Sequence, residues 1–437
     1  MSTLNRRTML KGTAAAAAGL TVASKASKTF AAPAVIQGGP TKIVYWGSFA
    51  DQLGEAEKQL TDNFNAAQTD VQLEYQYQGT YEETAQKLTA AVAAKQTPDV
   101  SLLSDVWWFK FYLNKTLAPL NDLIASNNVD TTDYVDSLYN EGVRDGVSYW
   151  IPMARSTPLF YFNKELYTGV GLPDGPAKWD DLTAVAQDLV TMDGDTMTRS
   201  AFAHQRGASY AAWVFQAIIW QFDGAYSDPE FNILINQENG VNAGNFVRSS
   251  VEDGWANTPE DAETDFVNGF TASVIGSTGS LGGFSRDATF EFGTAFLPEA
   301  LSFGCCTGGS GLAILADKSA EQQQAAFQFV KWATEPEQTA WWSQTTGYMP
   351  VRKSAVDSMT DFFAENPNFK TAVDQLPKTK AQDAARVFIP NGDQIIGKGL
   401  EQITINLDEV QPAFDDVAET LTEEAQPVIE AIAALQS

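Results

Sequence analysis

The sequence predicts an α/β protein built from two domains. Three observations carry this: short apolar strands alternate with helical stretches between residues 41 and 103, a second strand-bearing unit starts near Trp150, and about 405 residues remain once an N-terminal leader is set aside. Alternating strands and helices call for a parallel sheet covered on both faces, and that length suits two domains.

Residues 1–32 read as a leader. Asn5-Arg6-Arg7-Thr8-Met9-Leu10-Lys11 is basic with paired arginines, a mild apolar run follows from Thr13 to Ser24, and small residues surround Ala31 and Ala32. This is a cleavable export signal, and the arginine pair points to the twin-arginine route; Pro33 disfavours a cut immediately before it, so cleavage is expected after Ala31. The run is too short and too weakly apolar to span a bilayer, which takes about 20 apolar residues.

Residues 42–46 form a short apolar strand closed by Gly47-Ser48. Helical spacing over 52–67 puts Leu53, Ala56, Leu60 and Phe64 on one face, 71–77 alternates as a second strand, 81–94 is helical, and 98–103 is a third, buried strand. In parallel sheets ligands bind beyond the carboxyl ends of the strands, which gathers residues 47–51, 79–82 and 104–108 around one crevice. In the second unit, 158–163 is a strand followed by a helical turn over 164–167. A helix opens at 178–182 with Asp180 near its start, and 210–220 is a helix carrying Tyr210, Trp213, Phe215 and Trp220. A strand at 272–275 runs into Ser277-Thr278-Gly279-Ser280-Leu281-Gly282-Gly283, 292–296 is another strand, and Gly308-Gly309-Ser310-Gly311 precedes the apolar 312–315. From Glu321 the pattern is mainly helical. No linker rich in Pro or Gly separates the units, so short crossings are expected.

The chain holds 28 Lys and Arg against 55 Asp and Glu, a net charge of −27; the leader carries five of the positives and no acid, leaving −32 for the mature protein. Such a surface repels nucleic acid and anionic lipid, and an anionic ligand must be held by a few local donors. A single histidine, His204, and two adjacent cysteines, Cys305 and Cys306, rule out a His/Cys metal cluster, and no cofactor is expected. No serine sits in a G-x-S-x-G elbow, and His204 is expected at the surface or on a pocket rim. The cysteines form either a vicinal disulfide or two buried thiols at a strand end. The acidic stretches 252–265 and 408–424 read as solvated faces. Ser277-Thr278-Gly279-Ser280 resembles a phosphate cradle but lacks the G-K-[ST] ending of a nucleotide loop.

Four segments occur in a telling order: Gly79-Thr80-Tyr81-Glu82, Ser156-Thr157-Pro158-Leu159-Phe160-Tyr161-Phe162-Asn163-Lys164, Ser277-Thr278-Gly279-Ser280-Leu281 and Thr346-Gly347-Tyr348-Met349-Pro350-Val351. Together the chain from about residue 41 onward resembles the extracellular solute-binding proteins of bacterial ABC importers, in the group that carries sugars and glycerol phosphates. The last two segments look most like its sn-glycerol-3-phosphate-binding branch. The resemblance implies a two-lobe, periplasmic-binding-protein-like fold of type II with three hinge crossings near 153–158, 297–304 and 340–350. The N-terminal lobe would take 33–155 plus 300–345, and the C-terminal lobe 156–299 plus 346–437. It also implies a periplasmic monomer without catalytic activity, which closes on a small ligand (a glycerol phosphate, sugar or polyol) and delivers it to membrane permease subunits.

Carried across residue by residue, the resemblance assigns ligand contacts to Tyr81, to Asp105 in place of a glutamate that accepts from hydroxyls, to Ser156 and Ser277, to the backbone N–H of Gly309, and to the phenol of Tyr348. Tyr210 and Trp213 fall on two tryptophans that flank a glycerol backbone. Of the family's phosphate-binding stretch, the first arginine is matched by Arg386, while the ligand-contacting arginine falls near Asp393 or Gln394. Arg386, acting from a rearranged loop, and Arg155 are therefore the candidate cations. Rings and planar polar groups also suit sugars and polyols, which offer C–H faces and hydroxyls, so a neutral saccharide stays open. An exported glycosidase would need two carboxyls facing one pocket, and only Asp105 is in view.

Overall fold

The computed structural model describes residues 39–436, so the leader and its cleavage site lie outside the described residues. Pro40–Ser437 pack as one unit. Its framework is two five-stranded sheets. In the first, Val71–Tyr77, Thr41–Gly47, Val100–Ser104, Gly308–Ile314 and Ile151–Ser156 lie side by side in that order. The first three are parallel, with Thr41 opposite Val71 and Tyr45 opposite Val100, and the last two run antiparallel. The helices Asp51–Ala67 and Tyr81–Ala94 make the crossovers that parallel pairing requires. Position in the sheet accounts for each strand's pattern: Val71–Tyr77, at the edge, alternates buried and exposed at its start, whereas central Val100–Ser104 is buried throughout.

The second sheet orders Ala256–Asn257, Phe202–Ala203, Ser273–Ser277, Pro158–Asn163 and Phe292–Ala295. Here too a parallel set is followed by antiparallel neighbours. Thr157 alone separates the last strand of the first sheet from Pro158–Asn163 of the second, and the chain returns between Ala295 and Gly308. Thr157 is tied on both sides, its carbonyl accepting from Thr278 N at 3.2 Å and its hydroxyl from Gln375 Nε2 at 3.2 Å. A third passage follows the helix Pro336–Thr346, through Met349, whose N–H donates to Arg155 O at 2.8 Å, to Pro367–Gln375 beside Phe292–Ala295. The two-lobe α/β architecture expected from the sequence is the one observed.

Gly308–Ser310, ahead of the apolar 312–315, belong to the same strand and pair with Ser156–Ala154. Two details differ from the sequence reading. The third strand begins at Val100, because Asp99 turns its carboxylate back to accept from Val44 N at 2.8 Å. His204 is not at the surface: it is 7% exposed, hydrogen-bonded to Ser250 Oγ at 2.7 Å, and burial pushes its pKa down to about 3. Of the two states open to Cys305 and Cys306, the structure has the buried thiols, with no bond between them.

Candidate functional site

A cavity of about 570 Å³ opens between the sheets, beyond the carboxyl ends of their parallel strands. That volume lies within the ~300–1,000 Å³ typical of small-molecule sites. Tyr81, Asp105, Ser156, Tyr210, Trp213, Ser277, Gly309, Tyr348 and Arg386 all line it, so the structure brings every expected contact residue to one wall or another.

Local sequence explains how each arrives. Gly79 adopts φ +103°, and Thr80 and Glu83 then form a reciprocal capping box, Glu83 N to Thr80 Oγ1 at 3.3 Å and Thr80 N to Glu83 Oε2 at 2.8 Å. This starts the helix at Tyr81, at the mouth of the sheet, where the phenol donates to Ser310 Oγ at 3.1 Å. The helix Ala208–Gln221 begins after Gly207 at φ +87°, and Tyr210 and Trp213, three residues apart, share one face with rings stacked at 5.7 Å and 25°. Ser273–Ser277 ends in a tight turn in which Ser277 Oγ accepts from Gly279 N at 3.0 Å. Gly279 carries no side chain because Tyr348 lies on it; a Cβ there would come within 2.7 Å of the ring. Burial pushes the Tyr348 phenol up to about 12, so it stays a protonated donor. Gly309, at φ +99°, has its backbone so close to Ala154 O that a Cβ would stand 2.1 Å away.

The charged groups are arranged around Asp105. Its carboxylate does not cap the following helix, Trp108–Leu113, which has no side-chain cap. It accepts from Gln382 Nε2 and faces Arg386 Nη1 at 3.6 Å, while Arg386 donates to Gln382 Oε1. Arg386 sits in the short helix Ala384–Val387, is 4% exposed, and its Nε has no partner. Arg155, the other candidate cation, is not among the lining residues. It is fully buried in an ion pair with Glu141 and lies 4.9 Å over the Trp150 ring.

Within the acidic stretch 252–265, expected as a solvated face, Glu263 instead turns inward. It lines the cavity, where its carboxylate accepts from the Tyr210 hydroxyl and, at 2.7 Å, from Ser280 Oγ, and burial pushes its pKa up. The apolar neighbours Ala262 and Phe266 were the available signal, because they turn that helix so that Glu263 faces inward. Asp393 and Gln394, where the family's arginine was expected, also line the cavity. No cluster of metal ligands and no membrane-spanning helix occurs among the described residues.

Residues 59–371 match the model of the bacterial extracellular solute-binding protein family. The chain belongs to the bacterial extracellular solute-binding proteins. This solute-binding protein is 26% identical over 405 residues to the sn-glycerol-3-phosphate-binding periplasmic protein UgpB of Escherichia coli K12, covering 87% of this chain and 91% of that protein. The counterpart from Yersinia pseudotuberculosis is 25% identical over 399 residues, with 86% and 90% covered. The crystal structure of UgpB from Mycobacterium tuberculosis in complex with glycerophosphocholine superposes with a TM-score of 0.83 at 41% identity, covering 90% of this chain and all of that one. A cyclic α-maltosyl-1,6-maltose binding protein from Arthrobacter globiformis shares the fold, with a TM-score of 0.73 at 24% identity, covering 90% of this chain and 99% of the other.

Proposed function

We propose that this solute-binding protein captures a glycerophosphodiester or sn-glycerol-3-phosphate between two closing lobes and delivers it, as a monomer and without chemical change, to the permease of an ABC importer. The observation that carries the reading is Arg386: a buried guanidinium on the cavity wall whose Nε has no partner. On so acidic a chain an anion needs such a donor, and a planar guanidinium matches two phosphate oxygens at once. Asp105 and Tyr81 would then take the glycerol hydroxyls, Ser156, Ser277 and the Gly309 N–H would complete the polar wall, and Tyr210, Trp213 and Tyr348 would cover the carbon backbone. The glycerophosphocholine complex of the Mycobacterium tuberculosis relative, at 41% identity, supports the same ligand class.

Lobes of 33–155 plus 300–345 and 156–299 plus 346–437 would close about the three passages, so that the permease meets the loaded, closed form. The twin-arginine leader would carry the protein out already folded. A neutral sugar or polyol is the second reading, favoured by the stacked Tyr210–Trp213 pair, a platform that needs no anion on the ligand.

Thermal-shift and calorimetric titration of the protein from residue 32 tests both. Glycerophosphocholine and glycerol-3-phosphate are expected to raise the melting temperature, by about 2.7 kcal/mol of stabilisation at a hundred times Kd. Arg386→Ala is expected to lose most of that affinity. A shift with neutral saccharides alone, unaffected by Arg386→Ala, would replace the phosphate reading with the second.

A further inference from the structure

Resting on that reading, we propose that Asp393 selects the headgroup of the ligand: the cavity takes a zwitterionic glycerophosphodiester, with the phosphate at Arg386 and a positively charged amine on the alcohol arm at Asp393. Asp393 is 2% exposed, lines the cavity, and its Oδ2 has no partner. The other cavity acids are engaged: Asp105 by Gln382 and Arg386, Glu263 by Tyr210 and Ser280, and Glu82 by Gln86. A buried carboxylate without hydrogen bonds or a counter-charge is unfavourable, and a ligand cation removes that penalty on binding.

Backbone packing fixes Asp393 beside the phosphate donor. It is the second residue of the helix Gly392–Thr404, and a Cβ on Gly392 would lie 1.9 Å from the carbonyl oxygen of Ala385, the neighbour of Arg386. Gly397, one turn on, is pressed as closely on Ala208 O, beside the start of the helix that carries Tyr210 and Trp213. The cavity's unpaired carboxylate and its guanidinium therefore sit on adjoining helices along one wall of the cavity. Aromatic faces alongside add attraction for an ammonium group. The position where the family pattern leads to an arginine thus carries the opposite charge, which opposes a dianionic monoester and favours a ligand whose charges cancel.

Titration calorimetry of the whole mature protein decides the matter. Glycerophosphocholine and glycerophosphoethanolamine are expected to bind at least about tenfold tighter than glycerophosphoglycerol, which has the same phosphodiester but a neutral alcohol, because an ammonium group, with or without N–H donors, pairs its charge with the carboxylate. Asp393→Asn should abolish that preference by weakening the two ammonium esters without weakening glycerophosphoglycerol, whose net negative charge Asp393 opposes, and Asp393→Glu, which keeps the charge, should retain it. Equal affinities in the wild type, or an Asn variant that weakens all three alike, would overturn the inference and make Asp393 a helix-start residue only. Failure of every glycerol phosphate to bind the wild type would overturn the ligand reading itself, and this inference with it.

Discussion

Trp213 is packed on Gly308: a Cβ at Gly308 would stand 2.3 Å from the indole nitrogen, which donates to Thr307 O at 3.1 Å. The tryptophan belongs to a helix of the second sheet's lobe and the glycine opens a strand of the first sheet, so the contact spans one passage between them. Tyr210 stacks on the same indole, so the missing side chain at 308 is what lets the aromatic pair reach the cleft.

Gly308→Ala tests this relationship. The alanine methyl would displace the indole, at an overpacking cost of about 1–3 kcal/mol. Ligand affinity measured by calorimetry should fall about tenfold, as in Trp213→Ala, the ~1.4 kcal/mol of one well-placed aromatic face. Unchanged affinity in both variants would assign Trp213 to the core alone.

Glu57 should cost stability as pH rises through the weakly acidic range. Glu57 is fully buried under the first sheet, accepting from the hydroxyls of Tyr45 and Tyr75 and from Phe49 N, yet burial outweighs these bonds and pushes its pKa from 4.5 to about 7. Burial likewise raises Asp99, Glu141, Glu263, Asp265 and Asp383. A carboxyl with a raised folded pKa binds more protons folded than unfolded, so its contribution is present below about pH 4.5 and is lost by about pH 7. For Glu57 that amounts to about 3 kcal/mol at most. Between about pH 3 and 6.5 this loss is opposed by His204, whose depressed pKa makes the unfolded state bind more protons and so raises stability with pH. The test is therefore the difference: the stability of the wild type relative to Glu57→Gln should fall between pH 4.5 and 7, and a difference that stays constant over this range would contradict the assignment.

What could be read in advance follows from how local each signal is. The strands 71–77 and 158–163 and the helix 81–94 were legible to the residue, because alternation, turn glycines and the Thr80–Glu83 pair are all written within a few positions. The insertion of Gly308–Ile314 between Val100–Ser104 and Ile151–Ser156 was not, since no periodicity records which distant strands pair. The same limit applied to charges. Arg155 beside Ser156 is the second candidate cation by sequence, but strand alternation turns it away to Glu141. Glu263 looked solvated among Glu260, Asp261 and Asp265, and its inward turn depends on the packing of Phe266 with Tyr161 and Phe284.

Glu263 and Tyr210 should act on ligand binding as one unit. The Tyr210 hydroxyl donates to the Glu263 carboxylate and accepts from Ser277 N at 2.7 Å, so both of its hydrogen-bonding roles are spent on holding the ring against the turn at Ser277. Weakening the acceptor in Glu263→Gln should lower affinity by the ~0.5–1.5 kcal/mol of one hydrogen bond, and Tyr210→Phe, which loses that bond and the one from Ser277 N, should lower it by more. Because the bond weakened in Glu263→Gln is already absent in Tyr210→Phe, the double variant should be no weaker than Tyr210→Phe, leaving a coupling energy of about the size of the Glu263→Gln loss. Losses that simply add would mean that Glu263 meets the ligand directly, through the oxygen it now shares with Ser280.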